Sequence, residues 1–205
     1  MRGLCIVKLG GSLASSSELM AWLDALLAAE TRIVVVPGGG PFADQVRQAQ
    51  AQLGFDDATA HHLAILAMEQ FGRALAGLRP GLCPAESKSA ITAALRQGRL
   101  PVWMPARMTI GRRNIPGSWD VTSDSLALWL GRELGASRVL LVKSAPPRGP
   151  LTARAFVANG LVDAAFPSFF AAYGGTVSYA GPGEQQRIAD AFRRGEAPGK
   201  TITAG

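Results

Sequence analysis

Cysteine is scarce in this chain of 205 residues, which has only Cys5 and Cys83. Cys5 falls inside an apolar run and Cys83 in a Pro/Gly-rich connection. Neither a disulfide framework nor a metal-ligand spacing can be assembled from them, and both are expected as free thiols. Long hydrophobic runs are missing too. The apolar stretches are strand-length, far short of the roughly 18 residues that cross a bilayer, and the N-terminus enters a strand and a glycine loop almost at once. No membrane partner and a cytoplasmic location are therefore expected. Acidic residues number 15 against 21 lysines and arginines, for a formal net charge of +6. The basic residues are nonetheless scattered, with Arg112-Arg113 and Arg193-Arg194 the only adjacent arginine pairs, and no basic stripe interleaves with aromatics. A small anionic substrate accounts for that balance without nucleic acid. Repeats, charge blocks and low-complexity tracts are absent, and 48% hydrophobic with 18% charged residues suits a single globular domain over 1–205.

What is present is alternation. Val/Ile/Leu-rich runs at residues 4–9, 32–36, 100–104 and 138–142 read as strands, with shorter candidates at 176–179 and 201–203. Between them lie helical patterns with recognisable ends. Ser15-x-x-Glu18 forms a capping box for a helix to about Ala29, and Pro41 suits the first turn of a helix that stops at Gly54. Asp56 or Asp57 can cap a helix reaching Leu78, Ser87 or Ser89 one ending near Gly98, and 122–134 is a helix closed by Gly135. A last helix spans about 183–194. The alternation predicts an α/β fold with a mostly parallel sheet and helices on both faces, whose ligands bind beyond the carboxyl ends of the strands. A hinge around 111–117 would divide it into lobes of about 1–117 and 118–205.

Two glycine loops follow strands and so open onto one crevice. The first, Lys8-Leu9-Gly10-Gly11-Ser12, pairs a positive charge with backbone that can approach an anion closely. It is not a Walker A loop, because the lysine precedes the glycines. The second, Gly38-Gly39-Gly40-Pro41, formally satisfies Gly-x-Gly-x-x-Ala with Ala43, which invites a dinucleotide reading. The acidic residue required about 20 positions on, at the end of the next strand, has no counterpart, since Asp56 and Asp57 sit at a helix start. A plain tight turn remains an alternative, but one glycine would serve for that. Two anion loops facing each other suit phosphoryl transfer.

Together Lys8-Leu-Gly-Gly-Ser12, Val36-Pro-Gly-Gly-Gly40 and Asp120-Val-Thr-Ser-Asp124, with Gly199-Lys-Thr-Ile202 near the end, resemble the amino acid kinase family. The segments 57–70 and 118–124 are similar to the branch that phosphorylates 5-(aminomethyl)-3-furanmethanol phosphate in methanofuran biosynthesis. The resemblance implies a three-layer α/β/α sandwich, ATP and Mg²⁺ as cofactors, a small phosphorylated substrate and a homo-oligomer. One departure stands out: where many members carry a Val-Asp-Gly nucleotide loop, this chain reads Lys143-Ser-Ala-Pro-Pro-Arg-Gly-Pro150. A kinase of another acceptor, or a non-catalytic anion-binding protein, stays open.

Carried onto these residues, the resemblance implies that Lys8 neutralises the transferring phosphoryl group, the alternative being a solvated edge lysine. Gly10, Gly11 and Ser12 would hold the donor's β/γ-phosphates, Lys143 would touch the nucleotide, and Gly38, Gly39 and Gly40 would hold the acceptor. Asp124 would organise the catalytic lysine or ligate Mg²⁺, although a helix's first turn favours a carboxylate anyway. Asp120 would share that role or meet the acceptor's ammonium group, and His61 would contact substrate.

Overall fold

The β-branched run at 33–36 needs cover on both faces, and the structure, a computed structural model that describes residues 3–205, supplies it. In chain order come β1 (Cys5–Leu9), a 3-10 turn (Gly11–Ser15), α1 (Leu19–Leu27), β2 (Ile33–Pro37), α2 (Gly40–Leu53), α3 (Asp57–Leu78), β3 (Leu82–Ala85) and α4 (Lys88–Arg96). There follow β4 (Leu100–Trp103), α5 (Ala106–Thr109), α6 (Ser123–Leu134), β5 (Arg138–Val142), α7 (Ala153–Ala158), α8 (Phe166–Tyr173), β6 (Thr176–Ala180), α9 (Gln185–Arg194) and β7 (Lys200–Thr201). The strands form one sheet in the order β3-β4-β2-β1-β5-β6-β7, parallel except for β7, which runs antiparallel to β6.

Side chains alternate across the sheet and feed two cores. Ile6, Val34, Val36, Val139 and Leu141 pack with Leu126 and Leu130 of α6 and Phe166 of α8. Val7, Leu9, Ile33, Val35, Leu140 and Val142 pack on the other face with Trp22 and Leu23 of α1, Leu75 of α3 and Phe192 of α9. The result is a three-layer α/β/α sandwich. α1 shows what holds such short helices. It has no side-chain cap, yet Leu19, Trp22, Leu23 and Leu26 bury one stripe at helical spacing. Each fully buried leucine contributes about 1.5–3 kcal/mol, more than a cap would.

The helix signals at Asp56, Ser87, Gly54 and Gly135 hold. Asp56 Oδ1 accepts from the Thr59 N–H at 2.8 Å, Ser87 Oγ accepts from the Ala90 N–H at 3.1 Å, and both glycines end their helices in the left-handed region. The Ser15/Glu18 capping box does not form. Ser15 Oγ donates to the Ser12 carbonyl within the 3-10 turn, and Glu18 Oε1 instead accepts from the distant Gly183 N–H. Cys83, expected in a connection, lies buried in β3, because pairing with β4 turns that Pro-containing stretch into an edge strand. β7 is shorter than the expected 201–203, and α5, α7 and α8 were not anticipated.

The two glycine loops meet backbone against backbone. A Cβ on Gly11 would sit 2.6 Å from the Gly40 nitrogen, and one on Gly38 would run into the Gly11 nitrogen. Side chains are excluded here whatever their chemistry. Gly38→Ala is therefore expected to lower unfolding free energy by about 2–4 kcal/mol, as forced overpacking does. Gly77→Ala, in α3 with nothing within 4 Å, should raise it by roughly 0.5–1 kcal/mol. Urea midpoints at constant m-value check both, and equal midpoints for Gly38→Ala and the wild type would refute the interlock.

Candidate active site

Strand periodicity aims two lysines at one point. Lys8 follows Ile6 on the face covered by α6. Lys143 follows Leu141 by the same two-residue step, and its N–H extends the ladder to the Ala180 carbonyl. β1 and β5 are adjacent and in register, Leu9 opposite Val142, so the lysines emerge side by side at the carboxyl ends of their strands. α6 brings Asp124 over them in its first turn. Asp124 Oδ1 lies 2.8 Å from Lys8 Nζ and accepts from Lys143 Nζ at 2.7 Å. All three residues are buried, at 3%, 5% and 8% exposure for Lys8, Asp124 and Lys143.

Burial pushes the Asp124 carboxyl up, but the two ammonium groups outweigh it and hold the group below the usual carboxylate range. For Lys143 burial wins. Together with the neighbouring charge of Lys8, it pulls the ammonium down to about 8 against the attraction of Asp124.

The helix that carries Asp124 is fixed from a distance. Thr122 occupies the N-cap position but makes no cap with its own side chain. Asp163 Oδ2 does the work instead, accepting from the Thr122 N–H at 3.0 Å, the Thr122 hydroxyl at 2.8 Å and the Ser125 N–H at 3.1 Å. Its Oδ1 accepts from the Ser125 hydroxyl. The Asp163 carboxyl is pushed up by burial and by the charge of Asp124, against these hydrogen bonds.

A cavity of about 560 Å³ opens above the triad. Of the residues singled out in the sequence, Lys8, Gly10, Gly11, Ser12, Gly39, Gly40, His61, Asp124 and Lys143 line it. Gly38 and Asp120 do not. Gly38 spends its N–H on the Leu9 carbonyl, while Asp120 is exposed and its carbonyl accepts from the Ala165 N–H. Ser12 Oγ lies 2.7 Å from Ser144 Oγ, which ties the first glycine loop to the segment after β5. His61 Nδ1 is 3.0 Å from the Ser118 carbonyl, so Nδ1 carries the proton and Nε2 keeps a lone pair, buried and without a partner among the described residues. Burial pulls the His61 ring below its usual range.

Sequence reasoning missed Asp163, Trp119, Asp44 and Arg47, all in the lining. Arg47 Cζ lies 4.3 Å from the centroid of the Trp119 ring and Nη1 is 3.1 Å from Asp44 Oδ1; Trp119 Nε1 donates to Gln50 Oε1 at 2.7 Å. The one available signal was the i, i+3 spacing of Asp44 and Arg47 on α2.

Phosphate oxygens suit this site, whose glycine-loop end offers two ammonium groups and glycine backbone. Asp124 Oδ1 receives both lysines, so this carboxylate holds the two ammonium groups in place. A magnesium ion brought in on phosphate oxygens would meet its other oxygen, Oδ2.

A strand-end lysine, two glycine loops and a capped helix on a parallel sheet define a phosphate-handling α/β protein. The amino acid kinase family model matches residues 3–146, and the chain belongs to that family. It is 30% identical over 139 residues to the (5-(aminomethyl)furan-3-yl)methyl phosphate kinase of Methanocaldococcus jannaschii, over 66% of this chain and 63% of that one. The match thus spans just under two thirds of the relative's length. Among solved structures, uridylate kinase from Archaeoglobus fulgidus superimposes with a TM-score of 0.70 at 16% identity, over 97% of this chain and 99% of that one. UMP kinase from Bacillus anthracis gives 0.68 at 16% identity, over 99% and 96%. At those identities the likeness establishes the fold.

The lowered Lys143 value makes the triad's stability depend on pH. Between about 8 and its ordinary 10.5 the unfolded lysine is protonated and the folded one is not, so the unfolded state binds more protons and stability rises with pH. Burial of the Cys5 thiol and of Tyr173 and Tyr179 acts in the opposite sense at higher pH. Comparison with Lys143→Met between about pH 7 and pH 9 isolates the term. The wild type should gain unfolding free energy relative to the variant across that window, and a difference that stays flat would show that Lys143 titrates normally.

Proposed function

We propose that this chain transfers the γ-phosphoryl group of ATP to the phosphate of a small phosphomonoester, with (5-(aminomethyl)furan-3-yl)methyl phosphate as the acceptor. The observation that carries the reading is the buried Lys8–Asp124–Lys143 triad where the two glycine loops meet. The name of the Methanocaldococcus jannaschii relative supports the choice of acceptor.

An oxygen of the acceptor phosphate attacks the γ-phosphorus, the bond to the β,γ-bridging oxygen breaks, and ADP leaves with that electron pair. Phosphoryl transfer asks mainly for positioning and neutralisation of charge. Gly10, Gly11 and Ser12 hold the donor phosphates, Gly39 and Gly40 the acceptor's anionic end, and Lys8 and Lys143 offset the charge that spreads over the transferring group. Asp124, held by both lysines, is not free to act as a base. An acceptor that is already an oxyanion needs none, which favours a phosphate over a hydroxyl. Magnesium accompanies ATP in most kinases; the protein's share here is the pair of lysines.

The lobes at about 1–117 and 118–205 are read as contributing mainly to the acceptor and nucleotide sides, although the cavity between them draws residues for each substrate from both. A cytoplasmic homo-oligomer with no nucleic-acid or membrane partner completes the proposal. The altered segment Lys143–Pro150 favours one second reading, a protein that binds nucleotide without turnover.

Competition among the aminomethylfuran phosphate, UMP, acetylglutamate and aspartate for labelled ATP tests the acceptor. The furan phosphate should take most of the label. Preferential labelling of another acceptor would sink the substrate while leaving the transfer chemistry, and binding of ATP with no labelled product would favour the second reading. Lys8→Ala should keep a wild-type melting profile within a few degrees and lose on the order of 10²–10⁴ in kcat, because the charge it supplies matters most in the transition state. Full turnover in that variant would remove Lys8 from the mechanism.

A further inference from the structure

The cavity is electrically lopsided. At its glycine-loop end, two lysines share the single charge of Asp124, which leaves one positive charge uncompensated. Residues 160–163 form another part of the lining and include Asp163. Its four hydrogen bonds all come from neutral donors, the amides and hydroxyls of Thr122 and Ser125. No lysine, arginine or histidine pairs with it among the described residues; the charge that acts on it is the like charge of Asp124. His61 adds no cation to the lining, since burial disfavours its charged form.

An ionised carboxylate in such surroundings is costly unless a cation joins it. The cap bonds to Thr122 and to the Ser125 amide fall on Oδ2, which the single acceptor oxygen of an asparagine could replace without any charge. The other carboxylates of the lining are already engaged, Asp124 by the lysines and Asp44 by Arg47. Asp120, the residue expected from sequence to meet an ammonium group, lies outside the lining.

We propose that Asp163 is the specificity-determining residue that reads a positive charge on the acceptor, so that the site takes a dipolar phosphomonoester with its phosphate over Lys8 and its protonated amine at Asp163. This rests on the reading of the chain as a kinase of an amine-bearing phosphomonoester. A part-buried carboxylate that has only neutral hydrogen-bond donors and no cation discriminates against an uncharged isostere.

The test compares kcat/KM for the aminomethylfuran phosphate and for its methyl isostere, in the wild type and in Asp163→Asn. The wild type should prefer the amine by on the order of 100-fold or more, and the preference should fall to about tenfold or less in Asp163→Asn. Damage to the α6 cap moves both substrates together and cancels in the ratio. A ratio unchanged in the variant, with both substrates slowed in parallel, overturns the proposal and leaves Asp163 as a helix cap in a correctly assigned kinase. A wild type that does not prefer the amine overturns the proposal and the acceptor assignment together. Should Asp163→Asn not fold, carbon NMR of the Asp163 carboxyl in the wild type decides. Its titration should move to lower pH when the amine binds and not when the isostere does, and equal behaviour with both ligands refutes the charge contact.

Discussion

One carboxylate oxygen that accepts two buried ammonium groups is the interaction on which the site depends. Asp124 Oδ1 can serve Lys8 and Lys143 together only because β1 and β5 are adjacent and in register and because α6 begins directly over their carboxyl ends. Burial pulls the Lys143 ammonium down even with Asp124 beside it, so its charge at that depth leans on this partner. The arrangement therefore ties catalytic charge to the packing of the sheet. A slip of β5 by one residue would turn Lys143 to the opposite face, toward α1 and α9.

Asp163 makes the same dependence visible one step further out. It joins α6 to the segment between α7 and α8, so the helix that presents Asp124 is anchored by chain some 40 residues away. Where a local cap could have sufficed, the fold uses a long-range one that also faces the cavity. The anchoring of the triad's helix and a negative charge of the cavity wall thus meet in one side chain.

Much of this was legible in the sequence because it follows local rules. A strand's carboxyl end and a glycine pair that ordinary turn-making does not require can be read from a few neighbours, which singles out Lys8, Gly10, Gly11, Gly39 and Gly40; Asp124 stands out through the resemblance to the amino acid kinase family, since its first-turn position alone reads as a cap. What stayed hidden is non-local. Asp163 follows Asn159-Gly160-Leu161-Val162 with no period or spacing to mark it, and only the approach of α6 gives it partners. Trp119 and Arg47 meet across 72 residues of chain, from 47 to 119. Glu18 matched a capping box by type and spacing, yet Gly183, 165 residues away, claimed its carboxylate. Asp120 shared a motif with Asp124, but the turn before α6 leaves it outside the cavity. At Glu18 a tertiary contact overrode a local capping preference of about 1 kcal/mol.

The interlocked glycines have a consequence for how this chain can change over generations. Contact between Gly11 and the Gly38–Gly40 loop is made by main-chain atoms, so it is indifferent to substitutions everywhere except at the glycines themselves. The gap between the two glycine loops is in effect inherited as a fixed gauge. Trp119, Val121, Leu126, Leu161 and Val162 of the wall hold neither the lysines nor the α6 cap and can be rewritten one at a time. New ligand shapes can then be explored by drift in the walls, each variant starting with the loop spacing already set.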